Sequence, residues 1–109
     1  MNSVRTRAIF LEPSPSAAAT FDIYNEFMEI VGEISYNFTG GIYYEIFPKH
    51  RRKGYATMAL RELVSNLKEI GYHPYLLIPK GNIESKGVAR KANFYPADES
   101  ERLEKWLSI

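Results

Sequence analysis

Apolar and polar positions alternate most cleanly between residues 30 and 38. Ile34, Tyr36 and Phe38 fall on one face with Gly32 in phase, and Glu33, Ser35 and Asn37 fall on the other. Period-two alternation predicts a half-buried strand. Thr39-Gly40-Gly41 follows and suits the positive φ of a tight hairpin. Residues 42–47, Ile-Tyr-Tyr-Glu-Ile-Phe, predict the return strand, which Pro48 ends. Upstream, Val4, Ile9, Phe10 and Leu11 predict a strand over 4–11. Phe21, Ile23, Tyr24 and Phe27 predict another over 20–28, with spacing uneven enough to leave a helix open. Between the two, Pro13-Ser-Pro-Ser-Ala-Ala-Ala breaks regular structure.

Downstream of Pro48 the period changes. Ala56, Met58, Ala59, Leu60, Leu63, Val64, Leu67 and Ile70 form an apolar stripe that predicts a helix over 55–70, stopped by Gly71. Residues 74–79, Pro-Tyr-Leu-Leu-Ile-Pro, predict a short strand of the kind that runs parallel and is covered on both faces. Strand, helix and strand in this order make a right-handed parallel unit. Asn82 stands where an N-cap is needed, residues 83–92 predict a second helix, and Asn93 suits its left-handed stop. In the tail from Asp98, Leu103, Trp106 and Leu107 share a face, which predicts a short amphipathic helix. The fold class is α/β of the α+β kind, a mixed sheet of about five strands around a central parallel strand-helix-strand unit.

The 109 residues predict one domain, 1–109. A 45% hydrophobic and 25% charged composition excludes a disordered chain. The absence of cysteine excludes a disulfide scaffold and a thiolate metal site. His50 and His73 flank loops, are read as surface residues, and do not make a metal site. No apolar run approaches the ~18 residues of a membrane span, and Met1–Arg7 carries no apolar leader. A cytoplasmic domain without a membrane partner is therefore expected.

Charge is unevenly spread. Residues 1–48 carry a net −4, residues 49–91 a net +7, and residues 92–109 a net −2. The basic middle points to a polyanionic partner such as a nucleotide or a phosphorylated cofactor. Tyrosines and phenylalanines interleaved with basic residues can also stack single-stranded nucleic acid. Nucleic acid is set aside here, because Tyr36, Phe38 and Tyr44 fit a strand core and the basic run is confined to one turn.

That turn is Pro48-Lys49-His50-Arg51-Arg52-Lys53-Gly54-Tyr55-Ala56-Thr57, between a strand and the long helix. The first N–H groups of a helix have no intrahelical acceptor and sit at the positive end of its dipole, so a phosphate binds there through main chain. Gly54 and Ala56 leave the backbone uncrowded. The spacing is neither Gly-x-x-x-x-Gly-Lys-Ser/Thr nor Gly-x-Gly-x-x-Gly.

Arg51-x-x-Gly54-x-Ala56 resembles the acyl-coenzyme A pyrophosphate motif Gln/Arg-x-x-Gly-x-Gly/Ala of the GNAT acetyltransferase superfamily. The longer string Pro48 to Leu60, with Lys-Gly-Tyr-Ala-Thr at 53–57, is similar to the branch of ribosomal-protein N-terminal acetyltransferases. Asn82-x-x-Ser85-x-x-Val88-x-x-Lys91-x-x-Phe94 resembles that branch's following motif, Asn-x-x-Ser…Lys-x-Gly-Phe, with Asn93 in place of the usual Gly. The resemblance covers about residues 29–95. It implies a GNAT-like fold, here lacking the usual N-terminal helix pair that helps to wall the acceptor site. Relatives usually end with two more strands, and about fifteen residues remain after Phe94.

The resemblance also implies roles. Arg51, Arg52, Lys53, Gly54, Tyr55, Ala56 and Thr57 would bind the pyrophosphate of acetyl-coenzyme A, with Asn82 and Lys91 beside them. The strand end from Tyr44 to Ile46 would expose main chain to the pantetheine arm, the Ile46 N–H facing the thioester carbonyl. Ser85 matches the residue that donates to the departing thiolate. Its other reading is a first-turn residue bonded to Asn82. Some relatives use a tyrosine further along this helix, where Ala89 stands. Glu45 is the candidate general base, Glu33 a weaker one, and a solvent-facing strand position is the plain alternative for Glu45. Two functions stay open: an N-acetyltransferase acting on an amine of a small molecule or protein, and a non-catalytic module that binds acyl-coenzyme A or a protein partner. Pairing of an exposed edge strand offers a route to a homodimer that would complete the site.

Overall fold

The computed structural model describes residues 9–14 and 19–109. Its N-terminal half is an antiparallel meander of β1 (Ile9–Pro13), β2 (Thr20–Asn25), β3 (Ile30–Tyr36) and β4 (Ile42–Ile46), in that spatial order. The predicted first strand begins at residue 4, and its residues 4–8 lie outside the described residues. The strand predicted over 20–28 stops at Asn25 because that side chain folds the next residues into a turn. Buried Asn25 accepts from the Phe27 and Glu29 N–H groups through Oδ1, each at 2.9 Å, and donates from Nδ2 to Glu29 at 2.8 Å. The predicted hairpin after β3 is present. Asn37 Oδ1 accepts from the N–H groups of Thr39 and Gly41, and Gly40 takes φ 96°.

A short 3₁₀ turn, Pro48–His50, leads to α1 (Tyr55–Glu69), then β5 (Tyr75–Pro79), α2 (Ile83–Lys91), β6 (Phe94–Glu99) and β7 (Leu103–Ser108). Both predicted helices and their stops are present, with Gly71 at φ 93° and Asn93 at φ 66°. The last three strands form a second antiparallel sheet in the order β5-β7-β6.

The tail is a correction. Residues after Phe94 form a hairpin, not an amphipathic helix, and the described residues form seven strands where about five were expected. Leu103 and Leu107 are four apart and share a face in either conformation. The backbone edge of β5 decides for the strand, since β7 pairs along all of it from Tyr75↔Leu107 to Pro79↔Leu103. Trp106 is buried, opposite Leu76 and Pro96. Its Nε1–H donates to Glu104, two residues back on the same strand face, at 2.9 Å.

The predicted parallel unit is also modified. β4 and β5 share one parallel bridge, Gly41↔Tyr75, with the Tyr75 N–H on the Gly40 carbonyl at 3.0 Å. Beyond it the two strands separate. β5 is covered on one face only, since Leu76 and Ile78 are buried and Leu77 is exposed.

One core joins the two sheets. α1 packs on β1, β3 and β4, α2 packs on β5 and β6, and the helices touch each other. Ala59, Leu60, Leu63, Val64 and Leu67 of α1 are buried with Ile23, Val31, Ile34, Ile42 and Ile46 of the first sheet, and the cluster continues into Leu76, Ala89, Phe94 and Trp106. Both helices therefore lie on one side. The outer side exposes Phe10, Tyr43, Leu77, Tyr95 and Leu103. Among the described residues no helix is long and apolar enough to cross a membrane.

Candidate functional site

The separation of β4 from β5 opens a cleft of about 570 Å³ between the start of α1, the first turns of α2 and the free edge of β4. Three local features of the sequence build it.

The first is the turn before α1. Gly54 is its N-cap at φ 86°, a left-handed conformation that costs glycine no steric strain, and Arg52 is left-handed too at φ 63°. A Cβ built at Gly54 would meet nothing within 4 Å, so the cleft side of this turn is open. No side chain caps α1. Its first intrahelical bond runs from the Met58 N–H to the Gly54 carbonyl, which leaves the Ala56 and Thr57 N–H groups without an acceptor inside the helix.

The second is α2, whose start is capped. Asn82 Oδ1 accepts from the Ser85 backbone N–H at 3.0 Å. The cap therefore uses the main chain of Ser85 and leaves its hydroxyl available. That hydroxyl neighbours the Tyr44 phenol. Burial raises the phenol's pKa above its ordinary value, and hydrogen bonding by Ser85 pulls against this, while the Glu84 charge adds to it. The phenol stays protonated at neutral pH.

The third is the edge of β4. The Phe47 N–H bonds the Val31 carbonyl on β3 at 2.8 Å. Backbone groups alternate sides along a strand, so those of residues 45 and 47 turn toward β3 and those of Tyr44 and Ile46 toward the gap. The Ile46 carbonyl agrees, because it accepts from Arg51 Nε at 2.7 Å across that gap. This contact ties the Arg51 guanidinium to the strand end.

Of the residues singled out from the sequence, Tyr44, Glu45, Ile46, Arg51, Arg52, Gly54, Tyr55, Ala56, Thr57, Asn82, Ser85 and Lys91 line this one cleft. Lys53 does not. It is exposed on the turn. Tyr55 is buried, and its hydroxyl donates to Glu26 at 3.1 Å. Glu45 and Glu33 are exposed and stand opposite each other on β4 and β3. Lys91 ends α2, where Arg61 caps its carbonyl.

Four lining residues were not assigned to the site: His50, Glu84, Gly87 and Val88. Val88 lies three residues beyond Ser85, so the 82-85-88-91 spacing already marked its face of the helix. Glu84 reaches Arg52, with Nε to Oε2 at 4.0 Å between two exposed side chains. His50 is a correction, since it is 92% buried rather than on the surface. The 3₁₀ turn rotates it inward beside Tyr55, ring centroids 6.5 Å apart. Its Nδ1 is the one buried side-chain nitrogen or oxygen without a hydrogen-bond partner among the described residues. Among those residues no group of three His, Asp or Glu converges to hold a metal ion.

Comparison with known proteins adds the context for this geometry. A family model described as "FR47-like protein" matches residues 23–103. No curated protein matches the chain. Several solved structures share the fold. A GNAT-family acetyltransferase from Bacillus anthracis is 22% identical at a TM-score of 0.71, over 84% of this chain and 66% of its own. The microcin self-immunity acetyltransferase MccE, solved with acetyl-CoA and AMP, is 18% identical at 0.70, over 83% of this chain and 59% of its own. RimL, a ribosomal α-N-protein acetyltransferase solved with coenzyme A, is 17% identical at 0.73, over 83% and 60%. The chain thus spans less than two thirds of the length of these structures.

Proposed function

Because the chain belongs to the FR47-like family, we propose that it is an N-acyltransferase moving an acetyl group from acetyl-coenzyme A to an amine of a small molecule or protein. One observation carries the reading. The uncapped start of α1, the free edge of β4 and the Ser85 hydroxyl all open into one cleft.

The residues present suit the coenzyme. An uncapped helix start with an open left-handed glycine favours a phosphate, and Arg51 and Arg52 add positive charge beside it. We assign the Ala56 and Thr57 N–H groups, Arg51 and Arg52 to the pyrophosphate, with Asn82 and Lys91 on the α2 side. Bound there, the coenzyme supplies a thioester carbonyl open to attack by a neutral amine.

The chain's own groups then have distinct tasks. The Ile46 N–H, turned to the gap, is our donor for the carbonyl oxygen, where developing negative charge makes a main-chain N–H most effective. The Ser85 hydroxyl, backed by the protonated Tyr44 phenol, is our proton donor to the leaving sulfur. This pair stands in for the tyrosine absent at Ala89. Glu45 lines the cleft from β4 and is our acceptor for the proton of the amine.

A reading that stops at coenzyme binding is favoured by one feature: among the described residues no helix stands between β1 and β2, where the superfamily resemblance implies a helix pair that helps to wall the acceptor site. One experiment separates the two. Calorimetric titration with coenzyme A and acetyl-coenzyme A is followed by an amine panel with thiol detection. Binding with thiol release supports the transferase, and binding without release to any amine leaves the module. Absence of binding at millimolar ligand overturns both.

A further inference from the structure

His50 is a buried titratable side chain that the proposed chemistry does not use. It closes the 3₁₀ turn between β4 and α1 and is more than nine-tenths buried. Its ring nevertheless lines the cleft, together with Arg51, Gly54, Ala56 and Thr57. Nδ1 has no hydrogen-bond partner among the described residues. A neutral imidazole has one donor nitrogen and one acceptor, and the imidazolium has two donors. Nδ1 is thus left unpaired in every state of the ring, and an unpaired buried polar atom costs free energy. The charged ring needs an acceptor, and the place that would hold one is the uncapped start of α1 in the same cleft.

The groups around the ring divide into two sides. On the turn from β2 to β3, Glu26 and Glu29 already accept hydrogen bonds. Glu26 takes the Tyr55 hydroxyl at 3.1 Å, and Glu29 takes the Asn25 amide at 2.8 Å. Glu29 stands close to the basic turn. The Asn25 amide first, and then the charges of His50, Lys49 and Lys53, hold its carboxyl below the ordinary value against the effect of burial. Tyr55 of α1 meets the imidazole edge-on, ring centroids 6.5 Å apart. On the cleft side stand Arg51 and Arg52, with Glu45 on β4 and Glu84 on α2. Arg51 Nε is held by the Ile46 carbonyl, and Arg52 faces Glu84.

We propose that His50 couples coenzyme binding to proton uptake: when a pyrophosphate occupies the start of α1, the imidazole takes a proton from solvent and holds the anion as a cation. The inference rests on the coenzyme reading and adds a regulation of that site, its dependence on pH. An opposite charge close by favours the charged form of a titratable group. The bound complex therefore holds more protons than the separated partners. By linkage, affinity must rise as pH falls and the ring is protonated beforehand, and must drop as pH rises and the ring loses its charge. No covalent bond is made or broken. A proton moves from water to the ring on binding and returns on release.

The test uses the full chain and dephospho-coenzyme A, which keeps the pyrophosphate and lacks the 3′-phosphate that itself titrates near neutral pH. Calorimetry in buffers of different ionisation heat is expected to show proton uptake on binding. Affinity is expected to fall roughly tenfold between about pH 5 and pH 8, the range in which histidine changes charge, as a hydrogen bond from a charged donor is lost. His50→Phe keeps a ring in the buried site and removes the unpaired nitrogen. It should melt at the wild-type temperature or above, bind as wild type does at high pH, and show neither uptake nor pH dependence. Proton NMR reads the same event in wild type, where the two histidines are His50 and the exposed His73. The ligand should move the titration of His50 to higher pH and leave that of His73 in place, with His73→Gln making the assignment. Binding that is independent of pH and takes up no proton overturns the inference and leaves the coenzyme reading standing. An equal pH dependence in His50→Phe gives the proton to another group and overturns it too. Absence of binding at every pH overturns both readings.

Discussion

Arg52 and Glu84 face each other at 4.0 Å, one on the turn before α1 and the other in the first turn of α2. Both line the cleft, so a carboxylate stands where an anionic ligand and Arg52 would meet. Exposed pairs are worth only about 0.2–1 kcal/mol. Glu84→Gln is therefore expected to tighten coenzyme A binding by about 1.5- to fivefold. Titration at low and high salt checks this, the gain shrinking as ionic strength rises. Weaker binding by the variant would count against a phosphate at this place.

Gly54 separates strain from ligand contact. A Cβ there meets no atom within 4 Å, but φ is 86°. Gly54→Ala should lower stability by about 1–2 kcal/mol, the cost of a left-handed L-residue. Gly54→Glu should in addition remove the thermal stabilisation by coenzyme A, which in wild type reaches about 2.7 kcal/mol at a hundredfold excess over Kd. A melting shift retained by Gly54→Glu would move the pyrophosphate elsewhere.

Ser85→Ala distinguishes chemistry from helix support. The cap at Asn82 takes the Ser85 backbone N–H, which alanine keeps. The variant should therefore melt within about 0.5 kcal/mol of wild type while turnover falls by roughly 10²–10⁴. Asn82→Ala, which removes the cap itself, should cost about 1 kcal/mol of stability. Unchanged turnover in Ser85→Ala would leave the leaving sulfur to another donor.

Glu104 gives stability a pH dependence. Hydrogen bonding from the Trp106 indole, with further help from Lys86 at 3.2 Å, holds its carboxyl below the ordinary value. A carboxylate depressed in the fold stabilises above its unfolded pKa. That contribution is lost as pH falls through the lower folded value. Chemical denaturation between neutral and acid pH should show this loss in wild type and a shallower one in Glu104→Gln. The same experiment read by fluorescence should find Trp106 blue-shifted and poorly quenched in the native state, since it is 1% exposed.

Gly32 is a steric prediction for the strand that carries Glu45. A Cβ at Gly32 would stand 2.2 Å from the Glu45 carbonyl oxygen and 3.0 Å from the Ile46 Cα. Backbone cannot yield as a flexible side chain can, so Gly32→Ala should destabilise by about 1–3 kcal/mol. It should also weaken coenzyme binding by shifting the β4 edge. Thermal melts and coenzyme titration of the variant check both effects.

Local chemistry made much of this protein legible from its sequence. The helices were readable because an apolar stripe, an N-cap at Asn82 and left-handed stops at Gly71 and Asn93 act within a few residues of chain. The turn before α1 was readable for the same reason, since Gly54 and the helix that follows are contiguous. Eight of the twelve candidate residues in the cleft belong to two short motifs that each sit at a helix start, while Tyr44, Glu45 and Ile46 come from β4 and Lys91 from the end of α2.

The tertiary structure decided whatever depends on a distant backbone. Leu103 and Leu107 suit a helix or a strand, and only the edge of β5 makes 103–108 a strand that buries Trp106. His50 reads as a loop residue until the 3₁₀ turn rotates it inward against Tyr55. The line from Glu12 through Asp22 and Glu33 to Glu45 is invisible along the chain, where its neighbouring members are ten to twelve residues apart. It exists only once strand register sets them side by side. Hydrogen bonding between strands carries no local signature, so registry and the gap between β4 and β5 belong to the assembled fold alone.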